Sequence, residues 1–309
     1  MKRTLPLAAF LTLAAAAANE DLGPRFQVFP PDNPWHWDIS RFQVDPGSDA
    51  IIDSIGRDRT LHPDFGTQYG IPYVVVPGNA KKQKIVEWEY PDESDKEPYP
   101  IPADPPIEGG KDSDGDRHVI MIDRDNRVLY ELYHVFPVDK GGWKAGSGAI
   151  WDLKTNDRRR DGWTSADAAG LAIFPGLVRY EEVERGAIDH AIRFTARRTR
   201  KEYWFPASHH AGHGTEAALP PMGCRVRLKA SFEIKGFPKE VETILRALKK
   251  HGMILADNGS DWFLSGAPDK RWDDEKLRAI KKLKGSDFEV VKSVDEKGKP
   301  IAPPGVKIR

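Results

Sequence analysis

The chain has 309 residues, Lys+Arg and Asp+Glu at 47 each, 39 % hydrophobic residues and one cysteine, Cys224. Balanced charge creates no global field to recruit nucleic acid or an anionic membrane surface, and a single cysteine excludes an intramolecular disulfide. The length leaves room for one large domain or two small ones, with a sizeable packed core in either case.

The chain opens with Met1-Lys2-Arg3, continues through an apolar run from Leu5 to Ala18, and turns polar at Asn19-Glu20-Asp21. A positive start, a short apolar middle and small residues at a cut site predict a secretory signal over residues 1–18, cleaved near Ala18, and hence a periplasmic or extracellular protein. The run falls short of the ~20 apolar residues needed to cross a bilayer, so no membrane insertion is expected.

Residues 19–110 are rich in Pro, Gly, Asp and aromatics, with Asn33-Pro34, Asp45-Pro46-Gly47 and Pro77-Gly78 as turn signals. They read as extended wrapping packed on the rest, with short strands at Tyr73–Val76 and Lys84–Glu89 and polyproline-like chain over Pro91–Pro106. Residues 111–291 read as the β-rich core. His118–Asp123 and Arg127–Tyr133 flank the polar turn Arg124-Asp125-Asn126 as a hairpin with apolar residues on both faces.

Further along, Ile188, His190, Ile192 and Phe194 share one strand face, and Val226, Leu228, Ala230, Phe232 and Ile234 share another. A helix is predicted from Pro238 to Gly252 on the stripe Val241, Ile244, Leu245 and Leu248, and a second from Asp273 to near Gly285. Between them Met253–Asp257 and Asp261–Leu264 read as a hairpin about Asn258-Gly259. Residues 292–309 read as a loosely held tail. Strands first and two helices late predict a β-rich α+β domain, with sheets in a β-sandwich or jelly roll.

Several phrases carry a resemblance: Gly115-Asp-Arg-His118, Gly146-Ser-Gly-Ala-Ile-Trp-Asp152, Gly162-Trp-Thr-Ser-Ala-Asp-Ala-Ala-Gly-Leu171, Pro220-Pro-Met-Gly223 and Gly252-Met-Ile-Leu-Ala-Asp-Asn-Gly259. Across Phe29 to Val291 the chain resembles secreted bacterial proteins with no established activity. The resemblance implies a shared fold and export and supplies no catalytic residue.

Chemistry must therefore be read from side chains. Glycoside hydrolysis typically pairs a carboxylic acid of raised pKa with an ionised partner. Glu131, alternating with Leu129 and Tyr133, is a general-acid candidate because burial would raise its pKa; a structural carboxylate is the alternative. Asp167 lies among small residues beside Trp163, Asp152 follows Trp151, and Asp257 precedes Asn258-Gly259 near Trp262, where the indoles can stack on sugars. The same aspartates also suit caps and turns.

Arg225, Arg227 and Lys229 alternate on one strand face, with Arg193 on a neighbouring strand and His190 as a base candidate. Such a row can neutralise uronate carboxylates for a β-eliminating lyase. Asp112-Ser-Asp114-Gly-Asp116 resembles part of a calcium loop, with glycine out of the EF-hand position, and His209-His210-Ala-Gly-His213 offers zinc-type donors on a loop expected to be mobile. No cofactor is required; a structural calcium is the one ion expected. His118 and His190 have a core-histidine alternative, and Cys224 reads as a strand-edge residue rather than a nucleophile.

The reading is a secreted enzyme degrading polysaccharide or cell-wall glycan through carboxylates. A uronate lyase and a non-catalytic carbohydrate- or matrix-binding protein stand as alternatives.

Overall fold

A computed structural model describes residues 22–23, 26–139 and 141–308; the signal-peptide assignment lies outside them. In chain order the elements are α1 (Ser48–Ile55), β1 (His62–Asp64), β2 (Tyr73–Val76), β3 (Ile85–Trp88), β4 (Val119–Asp123), β5 (Val128–Tyr133), β6 (Phe136–Pro137), β7 (Trp143–Ala145) and β8 (Ser147–Asp152). They continue with α2 (Tyr180–Arg185), β9 (Ile192–Ala196), β10 (Arg225–Leu228), α3 (Lys239–Lys250), β11 (Met253–Asn258), β12 (Phe263–Ser265), α4 (Asp274–Leu277) and β13 (Phe288–Val290).

The strands form a six-stranded sheet in the order β1-β12-β9-β11-β10-β13, a four-stranded sheet β2-β4-β5-β8 and a three-stranded sheet β3-β7-β6. The protein is therefore a β-rich α+β fold. Each sheet holds a parallel pair: β9 with β11 and β1 with β12, β2 with β4, and β3 with β7. Antiparallel pairs complete each sheet, β12 with β9, β4 with β5 and β6 with β7, so all three are mixed in strand direction. The wrapping segment contributes β1 to the large sheet and β2 to the second, so both sheets depend on it.

The β4–β5 hairpin forms as the alternation predicts, with Ile120 opposite Glu131 and Met121 opposite Tyr130. Its burial on both faces has a simple cause: Ile120, Ile122 and Leu129 enter the main core, while Val119, Met121, Tyr130 and Leu132 enter a second core with Tyr99 and Ile101. Arg127 takes φ 57° to close the turn.

Helix α3 buries Val241, Ile244, Leu245 and Leu248, at ~1.5–3 kcal/mol of hydrophobic stabilisation each. Glu240 and Glu242 sit in its first turn and Lys249 and Lys250 in its last, matching the helix dipole. Gly252, at φ +68°, then sends the chain straight into β11, where a Cβ would meet the Val226 carbonyl oxygen at 2.5 Å.

Other expectations are corrected. β11 and β12 are not partners; they lie on opposite sides of β9, parallel and antiparallel to it respectively. Asn258-Gly259 crosses the end of β9 instead of forming a tight hairpin turn, held by Asn258 Nδ2 and Gly259 N donating to Ala196 O at 3.2 Å each. β9 begins only at Ile192, and β10 ends at Leu228, where Lys229 N donates to Asp287 O and the chain turns. The second late helix is the single turn α4 followed by 3-10 helix over Arg278–Lys282. Pro91–Glu93 is also 3-10 rather than extended chain.

α1 was not expected; Ile51, Ile52 and Ile55 of its short apolar face are buried. The start of the tail is tied down, with Lys292 N donating to Gln43 O, Ile301 N donating to Ser293 O, and Ser293 fully buried. Among the described residues no helix is long and apolar enough to cross a membrane.

Candidate functional site

β9 and β11 run side by side with a bulge between Leu255 and Asp257. A bulge bends a strand and re-aims its side chains. Here it turns Asp257 toward Arg193, whose Nη2 donates to Asp257 Oδ2 at 2.9 Å. The freed Ala256 carbonyl accepts from Ala169 N at 2.9 Å, which docks the 163–171 loop against the same strand ends.

That loop is built from small residues because it is crowded. A Cβ on Gly170, which sits at φ +68°, would lie 2.1 Å from Ser208 Oγ and 2.6 Å from Trp163 O. Ser165 Oγ accepts from Asp167 N at 2.9 Å and donates to Leu171 O at 2.5 Å, so the loop is bonded across its own neck. Ser147 Oγ donates to Ser165 O at 2.6 Å, fastening it to β8. Arg159 joins its outer edge to the wrapping segment, Nε donating to Thr164 O at 3.0 Å and Nη2 to Glu93 O at 2.6 Å.

Between these parts lies a cleft of about 420 Å³. Its aromatic side is Tyr90, Tyr133 and His209; its acidic side is Glu93, Asp116, Asp167 and Asp257. Glu93 Oε2 accepts from Thr164 N at 3.0 Å, and His209 Nδ1 donates to Ala168 O at 2.8 Å.

At its base Arg193 Nε and Nη2 hold Asp167 Oδ2 and Oδ1 at 3.0 and 2.9 Å, while Nη1 donates to Ser265 Oγ at 2.7 Å. Burial opposes the charge on Arg193, but Asp167 and Asp257 outweigh it and its pKa stands above the usual value. Asp257 is different. Burial pushes its carboxyl up to about 7, with Asp167 and Asp116 adding to the rise and Arg193 and His118 opposing it. Its side chain nevertheless keeps 21 % exposure to the cleft, against 0 % for Asp167.

No protein-family model, curated protein or solved structure matches this chain.

Beside the cleft, His118 Nδ1 lies 2.5 Å from Glu108 Oε2, and its Nε2 donates to Ala166 O at 3.0 Å. Burial disfavours the charged ring, yet Glu108 raises its pKa to about 9. Glu108 is drawn down by His118 and Arg193 against the effect of its own burial. Glu108, Asp116 and His118 each place one donor atom within 4.8 Å of the others, the arrangement in this region suited to a metal ion.

Asp167, Asp257 and Arg193 are thus brought together with Asp116 beside them, while Glu131, Asp152, His190, Trp262 and the cation row Arg225, Arg227 and Lys229 lie apart. Glu131 is fully buried behind the cleft, accepting from Ile173 N, Phe174 N and Trp151 Nε1 at 2.9, 2.8 and 3.1 Å. Burial raises its pKa to about 7, as expected of a carboxyl on an apolar face, but it holds the start of the 3-10 turn Phe174–Gly176 and does not line the cleft. Asp152 is exposed at the end of β8, 3.6 Å from Lys154 Nζ. His190 pairs with Glu182 at 3.1 Å in a separate depression beside Arg179.

The two proposed sugar platforms are otherwise engaged. Trp262 is fully buried, with Phe194 and Phe288 stacked on it at 5.8 and 5.7 Å and Nε1 donating to Gly56 O at 2.9 Å. Trp163 has the guanidinium carbons of Arg159 and Arg160 over its ring at 5.3 and 4.7 Å.

Nor does the cation row form a groove. Segment 34–39 covers it: Arg225 donates to Pro34 O, and Arg227 bonds Ile39 O at 2.7 Å and Glu289 at 2.8 Å. Lys229 donates to Ser286 O at 2.8 Å. The Asp112-Asp114-Asp116 loop presents its carbonyls to a cation already, since Arg117 Nη1 donates to Lys111 O and Ser113 O at 2.8 Å each. In the His209–His213 loop Gly212 is buried, a Cβ there falling 2.2 Å from Thr199 O, while His213 is exposed. Cys224 is buried with its thiol pushed up to about 12, which leaves no reactive thiolate.

Glu93, Tyr90 and Tyr133 were missed as site residues, and His209 was read only as a zinc-type donor. Tyr133 ends the predicted hairpin and His209 belongs to the His-rich loop, so both carried a signal; Glu93 sits in an aperiodic Pro-rich stretch with none.

Proposed function

We propose that the cleft is the catalytic centre of an exported glycan-degrading hydrolase in which Asp257 is the general acid and Glu93 the second carboxylate, activating water or attacking the sugar. The observation that carries this reading is Asp257: a carboxyl whose proton is retained to about pH 7 and which still opens to a cleft walled by tyrosines. A glycosidase acid needs that combination, since a carboxyl ionised well below neutrality has no proton to give the leaving oxygen. Asp167 and Arg193 are positioning residues. Asp167 both fixes the guanidinium and raises the neighbouring carboxyl.

The uronate-lyase reading loses support from the same geometry. Arg193 gives each of its donor nitrogens to Asp167, Asp257 or Ser265 and has none aimed at a substrate carboxylate. Digestion of a panel of neutral and uronate-containing polysaccharides tests both. The hydrolase reading expects new reducing ends without the ultraviolet absorbance of an unsaturated uronate; that absorbance appearing with the new ends would replace it with elimination, and binding without either product would leave a carbohydrate-binding protein.

A further inference from the structure

We propose that Glu108, Asp116 and His118 form a binding site for a divalent transition-metal ion, zinc or manganese, at the edge of the cleft. The site is independent of the hydrolase reading and stands or falls separately from it.

The histidine carries the first part of the argument. The Ala166 carbonyl can only accept, so the His118 nitrogen facing it at 3.0 Å, Nε2, bears a hydrogen. The other nitrogen, Nδ1, faces the carboxylates. A ring oriented by a backbone carbonyl through one nitrogen, with the second turned to anionic oxygens, is how metal-binding histidines are held. His118 is 1 % exposed and cannot swing away.

Convergence is the second part. One atom from each of Glu108, Asp116 and His118 lies within 4.8 Å of the others. Bonds to zinc of ~2.0–2.2 Å require a modest contraction of this triangle, which rotation of Glu108 and Asp116 can supply because neither side chain is fully buried. Asp116 is itself set in place: Arg117 next to it is anchored through Nε to Val135 O at 2.9 Å and through Nη1 to the loop carbonyls.

Charge is the third. Asp64, Glu108, Asp116, Asp167 and Asp257 interact with one another or with Arg193 and His118 across this region. With the proton kept on Asp257, four acidic groups still face two basic ones, and Arg193 is committed to Asp167 and Asp257. A dication offsets this excess.

One nitrogen and two carboxylates suit zinc or manganese better than calcium, which takes oxygen ligands alone. Three protein ligands leave coordination positions open, as catalytic zinc sites do. Asp116 lines the cleft, so the site borders the space a substrate would enter.

The test uses the full folded protein, stripped with chelator and dialysed separately against Zn²⁺, Mn²⁺ and Ca²⁺, with elemental analysis of what is retained. One equivalent of Zn²⁺ or Mn²⁺ is expected, undisplaced by excess Ca²⁺. E108Q and D116N should bind at least ~10-fold more weakly, the lower end of what even an outer-shell change costs, while D112N and D114N bind as the parent does. Thermal unfolding of each variant verifies folding. Failure of the parent to retain Zn²⁺ or Mn²⁺, preference for Ca²⁺, or unchanged affinity in folded E108Q and D116N overturns the proposal.

Discussion

Asp167 and Asp257 share one guanidinium nitrogen: Arg193 Nη2 lies 2.9 Å from Asp167 Oδ1 and 2.9 Å from Asp257 Oδ2. The two carboxyls are not equivalent. Asp167 takes both of its donors from Arg193 and is sealed from solvent, whereas Asp257 takes the shared nitrogen and Asn258 N, at 2.7 Å, and opens to the cleft. Burial disfavours ionisation of Asp257, and the adjacent Asp167 adds to that effect.

From this follows a pH dependence. The acid form of Asp257 is the active one, so activity on a glycan should fall as pH rises through about 7. D167N removes a negative neighbour and should move that limb to lower pH, provided Arg193 remains in place. A pH–rate profile of parent and D167N tests this; an unmoved basic limb counts against the coupling.

Stability carries its own sign. Asp257 and Glu131 both have folded pKa values near 7, above the ~3.9 and ~4.3 of unfolded Asp and Glu. Their favourable contribution is fully present below those unfolded values and is lost as pH rises through about 7. Urea midpoints should therefore decline between pH 5 and 8 in the parent, and the decline should be shallower in D257N. An equal slope in both contradicts the assignment.

Glu131 separates a structural carboxylate from a catalytic one. Glu131→Ala strands the amides of Ile173 and Phe174 in the core and should cost about 3 kcal/mol, within the range for buried donors left unpaired together with a lost side chain. D257N should leave the melting temperature within a few degrees of the parent. Calorimetry distinguishes them, and a fully stable E131A would show that the 173–174 turn does not need its acceptor.

Arg225 is the opposite case, a fully buried cation whose Nε and Nη1 have no partner. Burial alone drags its pKa down to about 9. Replacing an uncompensated buried charge with an apolar side chain of similar length commonly stabilises. R225M should raise stability by about 1 kcal/mol at neutral pH despite losing the bond to Pro34. A destabilised R225M would show that the Pro34 contact dominates.

What the sequence disclosed followed periodicity. The β4–β5 hairpin and α3 are continuous alternating or helical patterns that bury their own apolar faces, so local sequence suffices. Asn258-Gly259 misled because a dipeptide suited to a tight turn serves equally well where Asn258 bonds across to Ala196. Asp167, Asp257 and Arg193 were each suspected for residue type and setting; their meeting depends on a parallel β9–β11 pair and a bulge that no local pattern announces. Arg225, Arg227 and Trp262 looked functional as charge and aromaticity on a strand, and only the covering segment 34–39 and the stacked Phe194 and Phe288 show them to be interior. Glu93 acquires its place through Arg159, a contact 66 residues distant in sequence.

The most direct test is the release of reducing ends from a glycan panel by parent and D257N protein, measured side by side with their melting temperatures. The account predicts hydrolysis by the parent and a loss of at least ~100-fold in D257N, the lower bound for removing a general acid, at unchanged melting temperature. Hydrolysis by D257N at the parent rate would contradict it.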